Sequence, residues 1–524
     1  MSFSPSQSFI YLNPSRLVRQ ESAKKIGNGL SKGPTVKVHP AFVNSHANAT
    51  ANAQPKALPV RKQGTARLKI ELKKFPGYIG HSSSRISRRI NQDTYSINIL
   101  HNKIFSPFPI LSASIFDGHG PPETNIQNIL AEGLHLELAR DNSKELNKLR
   151  FFELLNWYRT ILGSGYWDEI YKEREFYYHK FILSCNTKDE QVLFKDSTGQ
   201  HGSSGFGSGS GSGSSRILFD KFGNVIDKST LLNELQRLKI YYSFLKFDLE
   251  KCCGIEFNND SVGQLGNINI DTYARDHPGG STASSLLMMP IGPGPGPTMA
   301  NSSEQPDIDS FNDHSLLLNP RGLLKLIITQ VGDTKIILCD SQGIAHTLSK
   351  PHHPDEFRES KRLHKLNIQK DSFGQSRFLD NFANTRSFGD LVGKPLGLSA
   401  EPDIYSYLVG QTLHLPYSER AKMQFGGDEC FIVMVTDGVS DLLTDQEIVD
   451  IITSTVNLRG LKRATPQYVA EEVIKFVQSI ANRHSDNATC IVLRLPNWGN
   501  WPTIDRTGVT REAKLMGPYS KEEM

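Results

Sequence analysis

The sequence has few cysteines, no long apolar run and almost no acid near its start. Its six cysteines, among 524 residues, follow no metal-ligand spacing. This excludes zinc-finger and disulfide-scaffold proteins and favours a reducing compartment. No stretch approaches the roughly 18 apolar residues of a membrane-spanning helix, so we expect no transmembrane segment. The length allows one large catalytic domain with insertions, or two to three domains.

Charge is distributed unevenly, although the net charge is only +4. Residues 1–70 contain 11 lysines and arginines and one acid, Glu21, so the remainder is net acidic. A nucleic-acid binder would carry positive charge on its folded surface, and we expect no nucleic-acid partner. The Ser- and Arg-rich composition of residues 1–65 is typical of a transit peptide and linker. It predicts a mitochondrial protein, in the matrix or intermembrane space; the alternative is a disordered basic tail on a cytoplasmic or nuclear protein.

Two low-complexity segments interrupt the body of the chain. Residues 196–216 are rich in Gly and Ser, and residues 288–320 contain a Gly-Pro repeat. Neither composition can form a packed core. Between them, residues 232–249 carry apolar side chains at helical spacing, with Ser229 or Thr230 available as the N-cap.

The rest of the chain alternates between strand-like and helical blocks. We expect a single domain over residues 66–496, interrupted by the two low-complexity insertions, and a polar surface tail over residues 497–524. Antiparallel-type strands and separately grouped helices are typical of an α+β layered fold.

Five short acidic motifs are spread over about 400 residues of the sequence. They are Asn91-Gln92-Asp93, Asp117-Gly118-His119-Gly120, Val331-Gly332-Asp333, Thr436-Asp437-Gly438-Val439-Ser440-Asp441 and Ser485-Asp486-Asn487. Three of these motifs end apolar runs that predict buried strands. A carboxylate at such a position is costly unless a cation or hydrogen bonds compensate it. Several carboxylates brought together would form an all-oxygen site suited to Mg²⁺ or Mn²⁺.

The candidate metal ligands are Asp117, Asp437 and Asp486. Two ions about 3.5–4 Å apart can deprotonate a shared water for attack at phosphorus. Asp117 suits the bridging position because Gly118 and Gly120 let the backbone approach closely, and the Gly118 carbonyl can itself ligate.

The neighbouring residues suggest further roles. His119 is placed to protonate a departing alkoxide, although a histidine beside glycine is often only a turn residue. Arg88 or Arg89 has the planar donors that bind a phosphoryl dianion, unless both are solvated surface residues. Asp390 could assist a further ion or cap a turn.

The order of these motifs resembles that of the metal-dependent serine/threonine phosphatases of the protein phosphatase 2C family. The resemblance covers about residues 80–495 and, because of the basic start, is closest to the fungal mitochondrial branch. The matching segments are Arg88-Arg-Ile-Asn-Gln-Asp93, Phe116-Asp-Gly-His-Gly120, Gly280-Ser-Thr-Ala283, Val331-Gly-Asp333, Glu359-Ser-Lys-Arg362, Thr385-Arg-Ser-Phe-Gly-Asp390, Val435-Thr-Asp-Gly438 with Asp441, and Asp486-Asn487.

This resemblance implies a central antiparallel β-sandwich flanked by helices, with long surface insertions. It also implies two Mg²⁺ or Mn²⁺ ions bridged by Asp117, with Asp437 and Asp486 completing the ligands. Arg88 would hold phosphate and His119 would act as general acid. The residues implied to hold metal-bound water or a third ion are Gln92, Asp93, Asp333 and Asp441.

Two features depart from the family pattern. Gln92 stands where the family has Glu, which removes a negative charge near the first ion and should lower metal affinity. About 160 residues separate Gly120 from Gly280, far more than the family core needs. We expect the surplus to form surface insertions that adjust substrate access or partner binding.

The leading hypothesis is metal-dependent hydrolysis of phosphoserine and phosphothreonine on protein substrates, with the pyruvate dehydrogenase complex as a possible mitochondrial target by analogy. The alternative is a pseudophosphatase that binds partners without turnover, for which Gln92 is the only support. A two-metal nuclease is the least favoured class, because the sequence lacks the basic groove that nucleic acid requires.

Overall fold

The computed structural model describes residues 9–12, 68–71, 78–121, 125–163, 165–183, 232–256, 270–290, 323–364, 377–378, 381–412 and 423–517. The predicted insertion at 196–216, most of that at 288–320 and most of the predicted targeting segment lie outside these residues. None of the described helices has the length and apolar character needed to span a membrane.

The chain divides into two compact units. The smaller is Phe9–Glu71, and the larger is Leu72–Met524 with Met1–Ser8. In the smaller unit, strand β1 (Phe9–Leu12) pairs antiparallel with β2 (Leu68–Glu71). The apolar and polar residues that alternate from Leu68 onwards therefore form a strand, and this strand belongs to the same unit as β1.

In the larger unit, the described strands and helices follow one another in mixed order. The strands are β3 (Ile79–Ser84), β4 (Asp93–Leu100), β5 (Ile110–His119), β6 (Gly280–Ser281), β7 (Ala283–Pro290), β8 (Leu323–Val331), β9 (Lys335–Cys339), β10 (Ala345–Thr347), β11 (Phe388–Gly389), β12 (Asp403–Gly410), β13 (Phe431–Val435) and β14 (Ala488–Arg494). The helices are α1 (Ile126–Ala139), α2 (Lys148–Leu162), α3 (Tyr166–Lys172), α4 (Arg174–Tyr178), α5 (Glu234–Phe247), α6 (Ile270–Asp276), α7 (Phe357–His364), α8 (Asp437–Ser440), α9 (Asp445–Arg459), α10 (Pro466–Ile480) and α11 (Gly508–Met516).

Two antiparallel sheets form the framework of this unit. One runs in the order β12–β8–β7–β5–β4, and the other in the order β10–β9–β13–β14–β3. Every residue of β13 is buried, so both faces of the second sheet are covered. Helices α9 and α10 pack on that sheet, while α1 and α5 belong to the core of the first. The predicted class, an α+β fold with a central antiparallel sandwich flanked by helices, is confirmed.

Local sequence signals set several helix starts. Thr444 and Glu447 form a reciprocal capping box at the start of α9, which satisfies two backbone N–H groups that the helix leaves free. Asn233 and Gln236 do the same for α5. The predicted cap of this helix, Ser229 or Thr230, is therefore wrong, because the chain enters the helix several residues later.

The described part of residues 121–279 is a buried helical core, so the prediction of surface insertions is wrong there. Trp157, Tyr158, Trp167 and Tyr178 are each at most 5% exposed. They pack in one cluster with residues of α1, α5 and the first sheet. Large aromatic side chains bury much apolar surface per residue, and here that surface closes the outer side of the sheet.

The predicted polar surface tail from residue 497 is wrong at Trp498 and Trp501, whereas most of residues 502–517 are exposed or half-buried. Trp498 and Trp501 are 4% and 6% exposed and meet each other and Phe431 edge to face, with ring centroids 5.3–5.4 Å apart. Lys514 of α11 pairs with buried Glu447 at 2.8 Å. Aromatic burial thus fixes a segment whose charged composition indicates solvent exposure.

Candidate active site

Strand pairing brings the predicted acids to one end of the sandwich. Asp93 and Asp117 are Cα partners across β4 and β5. One residue separates Asp333 from the end of β8. One residue likewise separates Asp437, the first residue of α8, from the end of β13. These acids come from four strand ends in the two sheets, although they are distant in sequence.

The Gly280-Ser-Thr segment holds the backbone of Asp117. Thr282 N donates to Asp117 O at 2.9 Å, and Asp117 N donates to Thr282 Oγ1 at 3.1 Å. Ser281 Oγ also donates to Asp117 O, at 3.0 Å. Three hydrogen bonds to the backbone N–H and C=O of Asp117 fix its main chain, so the carboxylate can move only by changing its side-chain rotamer. Sequence reasoning matched this segment only by resemblance and assigned it no role.

The acids share one electrostatic field. Burial raises the pKa of Asp117 well above its ordinary value, and the carboxylates of Asp437, Asp93 and Asp333 raise it further. Burial also raises the pKa of Asp437, followed by the charges of Asp333 and others. Asp117 and Asp437 each keep some exposed surface. Like charges this close disfavour simultaneous ionisation unless a cation joins them.

Asp93 is held on one side only. Thr436 Oγ1 and Thr489 Oγ1 donate to its Oδ2 at 2.8 and 2.7 Å. Burial nevertheless raises the pKa of Asp93 to about 7, and the charge of Asp486 adds to this. A hydroxyl pair therefore fixes the orientation of the carboxylate without neutralising it.

At this end of the sandwich, three buried carboxylate oxygens of the described residues have no hydrogen-bond donor: Asp93 Oδ1, Asp333 Oδ1 and Asp437 Oδ1. A buried acceptor without a partner is costly, and these are the hard oxygen donors that Mg²⁺ and Mn²⁺ prefer. The donor set therefore fits such ions. Among the described residues, no three acid, histidine or cysteine side chains lie close enough together to form a complete ion-binding cluster.

Asp486 and Arg88, which the sequence assigns to metal and phosphate, contact each other. Arg88 Nε lies 3.0 Å from Asp486 Oδ1, and Nη2 lies 2.7 Å from Oδ2. Both side chains are about half exposed, at 52% and 42%, as suits groups at the mouth of a cleft. Asp441 is exposed too, and burial of part of its carboxyl followed by the charge of Asp333 raises its pKa. The roles of all three residues stay predictions.

Asn487 ties the first and fifth acidic motifs together. Its Oδ1 accepts from Gln92 N at 2.8 Å, and its Nδ2 donates to Ile90 O at 2.9 Å. The Gln92 side chain points back to Gly120 O, at 3.4 Å. A Cβ on Gly438 would lie 1.9 Å from Asn487 O, so only glycine can follow Asp437 without displacing Asn487.

His119 pairs with Asp390, which sequence reasoning left as a helper or a turn cap. Nε2 of His119 lies 2.6 Å from Asp390 Oδ2, and Ser387 Oγ donates to the same oxygen at 2.6 Å. Burial alone would lower the pKa of His119, but the Asp390 carboxylate outweighs burial and raises it. The available signal was Gly389-Asp390, a pair of residues suited to left-handed backbone.

Residues 313–486 match the family model described as protein phosphatase 2C. The match includes Asp333, Asp437 and Asp486 and ends at the last acidic motif. With the acidic strand ends and the antiparallel sandwich described above, this match supports a phosphatase domain of the protein phosphatase 2C type.

Among curated proteins, "Protein phosphatase 2C homolog 4" of Schizosaccharomyces pombe is 31% identical over 268 residues, which are 50% of this chain and 54% of that protein. "Protein phosphatase 1K, mitochondrial" of Xenopus laevis is 30% identical over 178 residues, 34% of this chain and 41% of that protein. The chain thus spans about half the length, or less, of these relatives. A crystal structure of a phosphatase from Toxoplasma gondii resembles 80% of this chain and 94% of its own, with 13% identity and a TM-score of 0.38.

Proposed function

We propose that this protein hydrolyses phosphoserine and phosphothreonine monoesters of protein substrates with the help of divalent metal ions. The observation that carries the proposal is the set of buried, unpartnered oxygens of Asp93, Asp333 and Asp437 beside Asp117. Buried acids that repel one another and lack donors are characteristic of functional sites. The family model that matches residues 313–486 indicates the class of reaction.

The proposed metal ligands are carboxylates and one carbonyl. Asp117, Asp437 and Asp486, with the Gly118 carbonyl, would hold two Mg²⁺ or Mn²⁺ ions, and Asp333 and Asp441 suit a third. When bound, such ions supply an activated water and positive charge for the phosphoryl group.

The remaining steps belong to the chain's own side chains. Arg88 orients the phosphoryl group through its two outward donors once it leaves Asp486. His119 donates a proton to the departing serine or threonine oxygen, which is a poor leaving group as an alkoxide. Asp93 links the start of β4 to β14 and to the end of β13 in the other sheet through its bonds to Thr489 and Thr436.

The proposed location is the mitochondrion. It rests on the basic, acid-poor composition of residues 1–65 and on the mitochondrial name of one relative; a phosphoprotein such as the pyruvate dehydrogenase complex is then a candidate substrate. Residues 1–70 fused to a fluorescent protein should enter mitochondria, and a fusion with Arg16→Glu and Arg19→Glu should not. Diffuse cytosolic fluorescence from the unaltered fusion would contradict this location.

Activity is tested with the full chain and a phosphothreonine peptide in the presence of Mn²⁺. Phosphate release should require the metal, stop on chelation and fall at least about 100-fold in Asp437→Asn. Asp355→Asn, which alters an exposed turn acid, is the matched control and should retain full activity. Equal background release from the wild type and Asp437→Asn would contradict the proposal.

One feature supports a second candidate, a phosphoprotein-binding protein without turnover. Gln92 supplies an amide where the family supplies a carboxylate, which weakens one ion position. In that case the wild type should bind the phosphothreonine peptide by calorimetry yet release no phosphate with Mn²⁺. Turnover in the preceding assay would exclude it.

A further inference from the structure

The pairing of three short strand segments places Asp390 against His119. Strand β6 lies between β5 and β11: His119 is the Cα partner of Gly280, and Gly280 is the Cα partner of Gly389. Asp390 follows Gly389 directly, and its N donates to Gly279 O at 2.8 Å. One row of paired residues therefore leads from the histidine to the aspartate.

Gly280 is the residue that lets the two side chains meet. A Cβ added to Gly280 would lie 2.2 Å from Asp390 Oδ2, well inside van der Waals contact. The backbone turns through left-handed values at Gly389 (φ 70°) and Asp390 (φ 47°), which is costly for aspartate. A strained backbone conformation persists only where the surrounding contacts fix it, and such conformations are common at functional sites. Here it directs one carboxylate to one imidazole.

A structural role for the Asp390 side chain as a cap does not match its contacts. Asp390 occupies the N-cap position of the 3₁₀ segment Leu391–Leu396, yet its side chain makes no capping hydrogen bond. Its Oδ2 instead contacts His119 Nε2 and accepts from Ser387 Oγ, each at 2.6 Å. The Asp390 side chain is 6% exposed, whereas that of His119 is 44% exposed.

We propose that Asp390 is a positioning residue for His119: it accepts from Nε2–H, so that Nδ1–H of the imidazolium gives its proton to the leaving oxygen and the ring becomes neutral with its remaining proton on Nε2. A carboxylate that accepts from one ring nitrogen fixes the tautomer and the ring orientation. The Gly280-Ser-Thr segment and the Arg386-Ser-Phe-Gly-Asp390 segment therefore act together. Gly280 leaves room for a carboxylate beside His119, and Asp390 provides that carboxylate. This inference rests on the proposed phosphatase function and adds the group that orients its acid.

Leaving-group chemistry gives the first test. A phosphothreonine peptide releases an alkoxide and needs the proton, whereas p-nitrophenyl phosphate releases a stable phenolate and does not. Asp390→Ala should lower kcat at least about 100-fold on the peptide, with KM unchanged, and less than about threefold on p-nitrophenyl phosphate. Asp390→Asn keeps an acceptor oxygen and should lie between the wild type and Asp390→Ala on the peptide.

The controls separate positioning from folding. Asp340 pairs with His346 in the same manner, Nε2 to Oδ2 at 2.8 Å, and lies outside the site, so Asp340→Ala should leave both substrates unchanged. The double variant Asp390→Ala with His119→Ala should be no slower than His119→Ala alone, because the aspartate acts through the histidine. Equal losses of Asp390→Ala on both substrates, or full additivity with His119→Ala, would overturn the inference.

A second measurement does not depend on turnover. In ¹⁵N-histidine-labelled full chain, the His119 resonance, assigned by its disappearance in His119→Ala, is followed to a pH at which the ring has lost one proton; the neutral ring should then keep its proton on Nε2. Asp390→Ala should remove that preference, while Asp340→Ala should not. A wild-type His119 without this tautomer overturns the inference even if the protein is inactive, whereas the tautomer in an inactive protein would contradict only the phosphatase function.

Discussion

Lys394 Nζ lies 2.8 Å from Asp248 Oδ2, and neither side chain has any exposed surface. Asp248 also accepts from Gly389 N at 2.8 Å and from Tyr158 OH at 3.0 Å. Gly389 and Lys394 flank Asp390, whereas Asp248 and Tyr158 belong to the long helical segment before β6. The helical segment before β6 is thus bonded directly to the loop that contacts His119.

Loss of this buried pair's cation should be strongly destabilising. Lys394→Met leaves Asp248 charged and unpaired away from water, which costs about 3–5 kcal/mol. The urea-unfolding free energy should fall by that amount. The double variant Lys394→Met with Asp248→Asn should lose clearly less, because no uncompensated charge remains. A double variant as unstable as the sum of both single variants would contradict this account.

Restoring the family's acid at position 92 should strengthen metal binding. Gln92 lies next to Asp93 and bonds to Asn487 and Gly120 through its backbone and side chain. Gln92→Glu adds a negative charge that can hold metal-bound water, and we expect Mn²⁺ affinity to rise about 10-fold. Calorimetric titration with Mn²⁺ measures this. Gln342→Glu, in the turn between β9 and β10, supplies the same charge elsewhere and should leave the affinity unchanged.

Stability should fall with rising pH because of Glu401. Burial raises the pKa of this carboxyl from its ordinary 4.5 to about 8, although Tyr166 OH donates a short hydrogen bond to it. Below pH 4.5 both folded and unfolded states bind the proton. Between about pH 4.5 and 8 only the folded state keeps it, so the free energy of unfolding declines with pH, and above 8 this contribution is constant.

The difference between the wild type and Glu401→Gln isolates this effect. Urea unfolding at pH 5, 6, 7 and 8 should show a steeper decline for the wild type than for Glu401→Gln, which has no proton to lose. Parallel curves for the two proteins would show that Glu401 titrates alike in both states.

The tryptophan cluster near the C-terminus should contribute more stability than any exposed residue nearby. Trp501 is 6% exposed and donates from Nε1 to Asn457 Oδ1 at 3.2 Å. Trp501→Ala should lower the unfolding free energy by about 3–5 kcal/mol. Leu458, which is 86% exposed, is the matched control, and Leu458→Ala should change it by less than about 0.5 kcal/mol.

The acidic strand ends could be predicted from the sequence, because a carboxylate at the end of an apolar run is a local and costly signal. Asp93 and Asp117 are paired in register as that argument requires. The central sandwich was implied only by the resemblance of the motifs to a known family. The contact between Asp390 and His119 could not be predicted, since it depends on β6 joining two strands that are far apart in sequence. The apolar spacing of α5 indicates a helix that packs on the core, but the burial of its polar residues Gln236 and Lys239 could not be predicted, because it depends on specific hydrogen-bond partners elsewhere in the fold.

The position of β14 determines when the second sheet can form during synthesis. β14 lies between β13 and β3, and Ser84 of β3 pairs with Ala488 near the far end of the chain. β3 is the first strand of this sheet to be synthesised, and its only partner in the described sheet, β14, is the last. β3 therefore cannot pair until nearly all of the domain has been translated. A premature stop anywhere before Ala488 leaves β3 an unpaired edge, and truncated products should be recognised by chaperones or proteases rather than accumulate as partly active enzyme.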